Sequence, residues 1–222
     1  MNTYRTIVAD PPWPQKGGGT LRGREGWHDA HGASLPMKYR TMSVDQIAAM
    51  PIAELAHPDG CHLYLWTTNG FLDHAFDVVR AWGFEYSTTL VWAKNLMGGG
   101  LGGAYGISTE YCLYARRGDL PATAKVRGTW FNWKRPYDQR GKPMHSAKPH
   151  AFYDLVSTVS PGPRLELFAR RARAGWDVWG DQAPGAVELD ALSCGPGSGL
   201  CTFGDGSARG LVTVCDGSQV RA

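Results

Sequence analysis

The segment Asp10-Pro11-Pro12-Trp13 constrains the fold of this chain more than any other stretch. It follows residues 7–9 (Ile-Val-Ala), an apolar run typical of a short buried strand. Proline fixes φ and has no N–H, so the chain cannot continue past Asp10 as a helix or as a central strand. The sequence therefore predicts a rigid corner at the end of a strand, with a carboxylate, backbone carbonyls and an indole.

The groups of this corner suit an amino group on a planar heterocycle. A carboxylate and a carbonyl oxygen can accept its two hydrogens, and an indole can stack on the ring. The alternative is a Pro-Pro turn after an edge strand, with Trp13 as a core aromatic. We favour the functional interpretation because, at average residue usage, this tetrapeptide occurs by chance in on the order of one chain per thousand of this size.

Strand-like and helical patterns alternate along the chain. Strands are predicted near residues 5–9, 61–67, 86–94, 110–115, 164–169 and 176–180. Helices are predicted at 43–50 with Ser43 as N-cap, at 71–82 ended by Gly83, and at 149–159 with Pro149 in the first turn.

This alternation predicts an α/β fold with helices on both faces of a central sheet. Ligands of such sheets bind at the carboxyl ends of the strands. Asp10, Lys94 and the segment after Phe168 lie at predicted strand ends. The sequence therefore predicts that these three places form one site.

Three segments do not follow the alternation. The glycine-rich stretches 14–38 and 96–106 are predicted to be mobile loops beside the site, and the alternative is that they are connectors without a functional role. We divide the chain into a catalytic domain, 1–185, and a Gly/Ser-rich tail, 186–222, which has no periodicity and is expected to be disordered.

Charge and composition restrict the partners. The net charge is +3, and the tail contributes −2, so the body carries +5. Seven of the basic residues lie in 125–148, against the single acidic Asp138. No apolar stretch approaches the ~20 residues of a membrane span and no signal segment opens the chain, so we expect a cytoplasmic protein of a cell or phage-infected host.

The five cysteines show no metal-ligand spacing, and no metal site is predicted. Cys61 and Cys112 lie in apolar, strand-like runs. We expect both to be buried core thiols.

Several further segments occur in the order known from one family. They are Tyr39-Arg40-Thr41-Met42-Ser43, Leu63-Tyr64-Leu65-Trp66, Leu90-Val91-Trp92-Ala93-Lys94-Asn95, Glu110-Tyr111-Cys112-Leu113, His145-Ser146-Ala147-Lys148-Pro149, Arg164-Leu165-Glu166-Leu167-Phe168-Ala169-Arg170 and Trp179-Gly180-Asp181-Gln182. With the corner at Asp10, they resemble the permuted adenine-N6 methyltransferases, which include the messenger-RNA m6A enzyme and bacterial and phage DNA methyltransferases. The resemblance runs from about Tyr4 to Gln182.

The resemblance implies a Rossmann-like methyltransferase fold with permuted (β-class) motif order and a mostly parallel sheet. It also implies S-adenosylmethionine as the methyl donor and the exocyclic amine of adenine as the acceptor. Asp10, Pro11, Pro12 and Trp13 would then be catalytic. We expect the Asp10 carboxylate and the Pro11 carbonyl to accept the amine hydrogens, and Trp13 to stack on the adenine.

The resemblance assigns donor binding to a second group of residues. They are Lys94, Glu166, Leu167, Phe168, Arg170, Asp181 and Gln182. Lys94 matches a lysine that reaches the carboxylate of the donor, and its alternative is a solvated strand end. Glu166 needs a partner in an apolar strand, and either a ribose hydroxyl or a backbone turn would serve.

Two departures separate this chain from the messenger-RNA enzyme. Arg171, Ala172 and Arg173 follow the turn where that enzyme has His and Asn, and Asp181 stands where Asn is usual. The first departure leaves the details of ribose binding open, and the second favours the compact bacterial or phage branch.

Nucleic-acid contacts are predicted in two places. Tyr39, His145, Ser146 and Lys148 match family motifs on the substrate side or at a helix entry. Trp133, Lys134 and Arg135 belong to 128–137, where aromatic and basic residues alternate as in a surface that tracks a nucleic-acid backbone and stacks bases. The alternative for that stretch is a core strand with a solvated, charged end.

Our leading hypothesis is methylation of the N6 amine of adenine in DNA. One alternative keeps the chemistry and changes the substrate to RNA, and the other is a nucleic-acid-binding relative without catalysis. The recognition sequence, a partner subunit and the oligomeric state stay open.

Overall fold

The computed structural model describes residues 2–14, 41–94, 104–142, 144, 147–180 and 182–187. One sheet contains β1 (Thr6–Ala9), β2 (Cys61–Thr67), β3 (Glu85–Ala93), β4 (Thr109–Arg117), β5 (Trp130–Phe131), β6 (Arg164–Leu167) and β7 (Asp177–Trp179). The helices are α1 (Val44–Ala48), α2 (Leu72–Ala81) and α3 (His150–Val159), with 3-10 turns at Ile52–Leu55 and Asn69–Phe71. The six predicted strands and three predicted helices are confirmed within two residues at each end.

The order of strands in the sheet is β5-β3-β4-β2-β1-β6-β7. All strands run parallel except β4, which is antiparallel to both β2 and β3. The prediction of a mostly parallel sheet is confirmed. Because β4 runs against its neighbours, its amino end lies at the same edge of the sheet as the carboxyl ends of the other strands.

Helices cover both faces of the sheet, as predicted. Ile7 and Ala9 of β1 join the core cluster that includes buried residues of α1 and α2, whereas Val8 joins the cluster that includes α3. This two-residue alternation is the strand period, and it places every second side chain against a different helical layer. β1 is therefore buried on both faces, which is typical of a central parallel strand.

The helix ends explain why the helices begin and end where predicted. Ser43 and Gln46 form a capping box, with Ser43 Oγ accepting from the Gln46 N–H at 3.1 Å. Gly83 follows α2 with φ 75°, the left-handed conformation that glycine adopts most easily. Pro149 lies one residue before α3 and not in its first turn, because its ψ of 140° is extended.

A hydrogen-bonded network lies at the amino edge of the sheet. His62, the second residue of β2, places Nε2 3.0 Å from the Leu120 carbonyl and Nδ1 2.8 Å from Ser160 Oγ. The Tyr64 hydroxyl lies 2.8 Å from the same Ser160 oxygen. We call His62, Tyr64 and Ser160, with the Leu120 carbonyl, the amino-edge network. Burial lowers the pKa of His62.

Cys61 and Cys112 are fully buried free thiols, as predicted. Burial raises the pKa of the Cys61 thiol to about 12, so it is unreactive at neutral pH. Among the described helices, none has the length and apolar character needed to cross a membrane. Within the same residues, no three His, Cys, Asp or Glu side chains come close enough together to hold a metal ion.

Candidate active site at the carboxyl edge of the sheet

The structure places the three predicted strand ends at one edge of the sheet. Asp10 follows β1, Phe168 follows β6 next to it, and Lys94 follows β3. Two strands, β4 and β2, separate β3 from β1, so Lys94 leaves the sheet about 14 Å from Asp10. Charged side chains at the carboxyl edge span that distance.

Four charged side chains alternate in sign along this edge. Lys148 Nζ donates to Asp10 Oδ2 at 2.7 Å and lies 3.4 Å from Glu110 Oε2. Lys94 Nζ donates to the other oxygen of Glu110. We call Asp10, Lys148, Glu110 and Lys94 the carboxyl-edge charge chain. The side chains of Asp10 and Lys94 are 29% and 21% exposed, and that of Lys148 is 7% exposed.

The pKa directions follow from burial and from these contacts. Burial raises the pKa of the Asp10 carboxyl, and the Lys148 ammonium opposes that rise. Burial acts in the same sense on Glu110, but Lys148 and Lys94 outweigh it and hold the pKa of Glu110 below its usual range. Burial alone would lower the pKa of Lys148, yet the two carboxylates raise it. Lys148 and Glu110 are therefore charged at neutral pH.

The Pro-Pro corner uses some of its own carbonyls. The Trp13 N–H donates to the Pro11 carbonyl at 2.8 Å, and the Met42 N–H donates to the Pro12 carbonyl at 2.9 Å. A carbonyl oxygen has two lone pairs, so Pro11 keeps one for a ligand. The corner is thus a closed three-residue turn, which holds the backbone beside Asp10 in place.

Trp13 is packed more deeply than its predicted role requires. Its side chain belongs to the core, with 8% exposure, and its ring stacks on Phe71 at 5.7 Å and 16°. Its Nε1–H donates to the Trp66 carbonyl at 2.9 Å. These contacts are those of a core aromatic, and the contact with adenine stays a prediction.

Glu166 has partners that differ from those predicted. The Tyr153 hydroxyl donates to Glu166 Oε1 at 2.6 Å, and Arg173 Nε lies 3.3 Å from Oε2. The Arg173 guanidinium also lies 3.4 Å from the centre of the Tyr153 ring. Burial raises the pKa of Glu166, and both partners oppose the rise. Arg173, one of the two departures from the family pattern, therefore supplies a partner for this buried carboxylate.

The segments after β6 and β7 lie against each other. Phe168 adopts φ 59°, which is unusual for a residue other than glycine, and its ring meets that of Trp179 edge-on at 5.8 Å. A Cβ at Gly180 would lie 2.3 Å from the Ala169 carbonyl oxygen, so only glycine fits there. Backbone strain of this kind clusters at functional sites.

The other predicted donor-binding residues are placed differently from one another. The Leu167 side chain is fully buried in the core, so any contact with a donor would have to come from its backbone. Arg170 is partly exposed and close enough to influence the Asp10 carboxyl, whereas Gln182 is exposed. Asp181 lies outside the described residues.

The predicted nucleic-acid residues divide between core and surface. Trp133 is half-buried and stacks on Phe131 with 4.3 Å between ring centres, as the core-strand alternative expects. Lys134 is exposed and Arg135 is partly exposed, as a nucleic-acid surface requires. Tyr39, His145 and Ser146 lie outside the described residues, as do the glycine runs of the two predicted loops and most of the tail.

Two assignments made from the sequence were incomplete. Lys148 was expected on the substrate side or at the helix entry, and the structure pairs it directly with Asp10. Glu110 received no role, although it opens an apolar strand directly after a predicted loop. A charged residue at such a place, within one of the segments that carry the family resemblance, is the signal that could have indicated it.

The chain matches the sequence profile of the MT-A70 family over residues 4–182. It is 31% identical to the Type II methyltransferase M.MunI of a Mycoplasma species, over 82% of this chain and 78% of that protein. It is 24% identical to the human N(6)-adenosine-methyltransferase catalytic subunit METTL3 and 29% identical to the N6-methyladenosine RNA methyltransferase MTA1 of Cryphonectria parasitica. The matches cover 86% and 81% of this chain, but only 30% and 51% of those two longer proteins. The chain belongs to the MT-A70 family of N6-adenine methyltransferases.

Proposed function

We propose that this member of the MT-A70 family transfers a methyl group from S-adenosylmethionine to the N6 amine of adenine in DNA. The observation that carries the proposal is the Asp10 carboxylate at the carboxyl end of β1, beside the Pro11 carbonyl and paired with Lys148. The match to M.MunI, which extends over most of both proteins, supports DNA as the first substrate to test. The relatives named for adenosine or RNA support RNA as the second.

The chemistry of the carboxyl edge fits S-adenosylmethionine. That molecule carries a carboxylate, an ammonium, a sulfonium and two ribose hydroxyls, and it supplies an electrophilic methyl group when bound. Lys94 offers a cation for the carboxylate, and the acidic side chains of the edge suit the positive groups. Glu166 and Phe168, at the end of β6, are the proposed contacts for the adenosine part.

In the proposed mechanism, Asp10 and the corner act on the acceptor. The Asp10 carboxylate accepts one amine hydrogen, and the remaining lone pair of the Pro11 carbonyl accepts the other. This pairing would favour a pyramidal nitrogen whose lone pair is free to attack the sulfonium methyl carbon. As the C–N bond forms, the C–S bond would break with its electron pair left on sulfur, and the methylated nitrogen would lose one proton to water. The carboxylate also stabilises the positive charge that develops on the nitrogen, so catalysis is mainly positioning and charge complementarity. A base in a duplex must leave the stack to reach Asp10.

The test is transfer of labelled methyl from S-adenosylmethionine to duplex DNA, single-stranded DNA and RNA. We expect label in DNA with the natural sequence and with the control Asp59→Asn, whose side chain is 69% exposed and pairs with Arg5. Label should fall by at least about a hundredfold with Asp10→Ala and Asp10→Asn, while folding is kept. Label in RNA alone would contradict DNA as the substrate, and near-native turnover by a folded Asp10 variant would contradict the mechanism.

A further inference from the structure

The Lys148 ammonium lies between two carboxylates of the carboxyl-edge charge chain. It is 2.7 Å from Asp10 Oδ2 and 3.4 Å from Glu110 Oε2. The first distance is that of a strong, charge-assisted hydrogen bond, and the second is just beyond a normal one. Lys148 therefore binds Asp10 in this structure. A small movement of its ammonium would bring it into hydrogen-bond distance of Glu110.

This arrangement conflicts with the proposed work of Asp10. Asp10 Oδ1 can accept the amine hydrogen, but the carboxylate must also stabilise the positive charge that develops on the nitrogen. The Lys148 ammonium bound to Oδ2 opposes that charge. If Lys148 simply left, its ammonium, which is 7% exposed, would lose its nearest partner. An unpaired buried charge is strongly unfavourable.

We propose that Glu110 is a positioning residue that receives the Lys148 ammonium when the acceptor amine binds to Asp10. The inference rests on the proposed function of Asp10. Glu110 is suited to this exchange because Lys94 binds its Oε1 and leaves Oε2 directed at Lys148. The ammonium carries three donors on a flexible stem, so it can change its main partner without losing neutralisation.

Two further features keep the exchange local. The Trp66 ring lies 5.2 Å from the Lys148 ammonium and attracts a cation through its face. Lys94 in turn neutralises Glu110 before and after the shift. The sum of the four charges is zero in both arrangements, so no charge has to enter from solvent.

The experiment is single-turnover methyl transfer by the full chain, at saturating S-adenosylmethionine and DNA. It compares the natural sequence with Glu110→Gln, Lys148→Met and the double variant. The control is Glu85→Gln, which removes the same charge from an exposed position at the start of β3. Thermal unfolding of each variant shows that it is folded.

We expect Glu110→Gln to lower the rate constant on the order of tenfold to a hundredfold, because a misplacement of about 1 Å can cost about a hundredfold in rate. In the Lys148→Met background, Glu110→Gln should cause no further loss and should partly restore the rate, because it removes one of two facing carboxylates. A purely structural role of Glu110 would lower the rate in both backgrounds.

Three results would overturn the inference. One is a Glu110→Gln rate within twofold of that of Glu85→Gln. Another is an equal loss with and without Lys148. If the natural sequence transfers no methyl group, the proposed function fails, and the exchange fails with it; an active natural sequence with an unaffected Glu110→Gln variant removes the exchange alone.

Discussion

Two buried polar networks lie at opposite edges of the same sheet and differ in charge. The carboxyl-edge charge chain consists of two carboxylates and two ammonium groups, and its end members Asp10 and Lys94 reach solvent. The amino-edge network is neutral and almost wholly buried, with His62 and Ser160 at 0% exposure. Most of their side chains lie at or near strand and helix ends, and we expect different roles for the two networks.

The neutral network satisfies each of its members. Because a carbonyl only accepts, His62 Nε2 must carry the hydrogen that it donates to Leu120, and Nδ1 accepts from Ser160. Tyr64 then donates to Ser160. A buried network with every group paired stabilises the fold, whereas buried ion pairs are often no more stabilising than apolar residues of similar size. The charge chain is therefore better explained by chemistry than by stability.

The largest effect that separates the two edges should come from Asp10→Asn. We expect methyl transfer to fall on the order of a hundredfold to a thousandfold, the range for a residue that stabilises charge in a transition state. Stability should not fall, because burial raises the pKa of Asp10 and its charged form is disfavoured. Methyl transfer and urea unfolding are measured on one preparation. If the rate and the free energy of unfolding both fell, the proposed difference between the two edges of the sheet would be wrong.

His62→Ala should give the opposite result. It removes a fully buried ring, and it leaves the Ser160 hydroxyl hydrogen without its acceptor and the Leu120 carbonyl without its donor. The free energy of unfolding should therefore fall by about 2–4 kcal/mol. The rate of methyl transfer per folded molecule should stay within twofold. Urea unfolding with Tyr64→Phe as the milder control, at about 1 kcal/mol, measures the effect. A variant as stable as the natural sequence would show that the network is not structural.

The two edges should lose their contributions to the free energy of unfolding in different pH ranges. The pKa of His62 is lowered, so its contribution is fully present above its unfolded value of about 6.5 and is lost as pH falls towards the folded value. The pKa of Glu110 is also lowered, so its contribution is lost only below about 4.3, the ordinary value of Glu. As pH falls from 7 to 5, the free energy of unfolding of the natural sequence should lose the His62 contribution, and a His62→Gln variant should lack that loss. The raised pKa values of Asp10 and Glu166 act in the opposite sense in both proteins, so the difference between the two curves measures His62.

Lys94→Met should have the smallest effect. Lys94 is the outer end of the charge chain, and Glu110 would keep Lys148 as a partner. If Lys94 reaches the donor carboxylate, the affinity for S-adenosylmethionine should weaken about tenfold, or roughly 1.4 kcal/mol, while the rate at saturating donor changes less. Calorimetric binding measures this, with Arg80→Met, an exposed position of α2, as control. Unchanged donor affinity would limit Lys94 to the support of Glu110.

Most of the fold could be predicted because its signals are local. The apolar run before Asp10, the capping residue Ser43 and the terminating Gly83 each act within one element, and the structure has all three as predicted. The place of Asp10 at a strand end, and hence at the site, follows from the same local pattern. The apolar periodicity of a strand or helix depends only on its own consecutive residues. It can therefore be recognised without knowing which element packs against it.

The partners within the site were decided only by the tertiary structure. Lys148 is 138 residues away from Asp10, and Glu110 reaches both lysines because β4 runs antiparallel between β2 and β3. Nor does a local pattern show that Trp13 stacks on Phe71 or that Arg173 closes on Glu166. The sequence by itself determined where the apolar strands and helices lie and where they end. The order and direction of the strands decided which charges meet, because ion pairs depend on distances that only long-range packing sets.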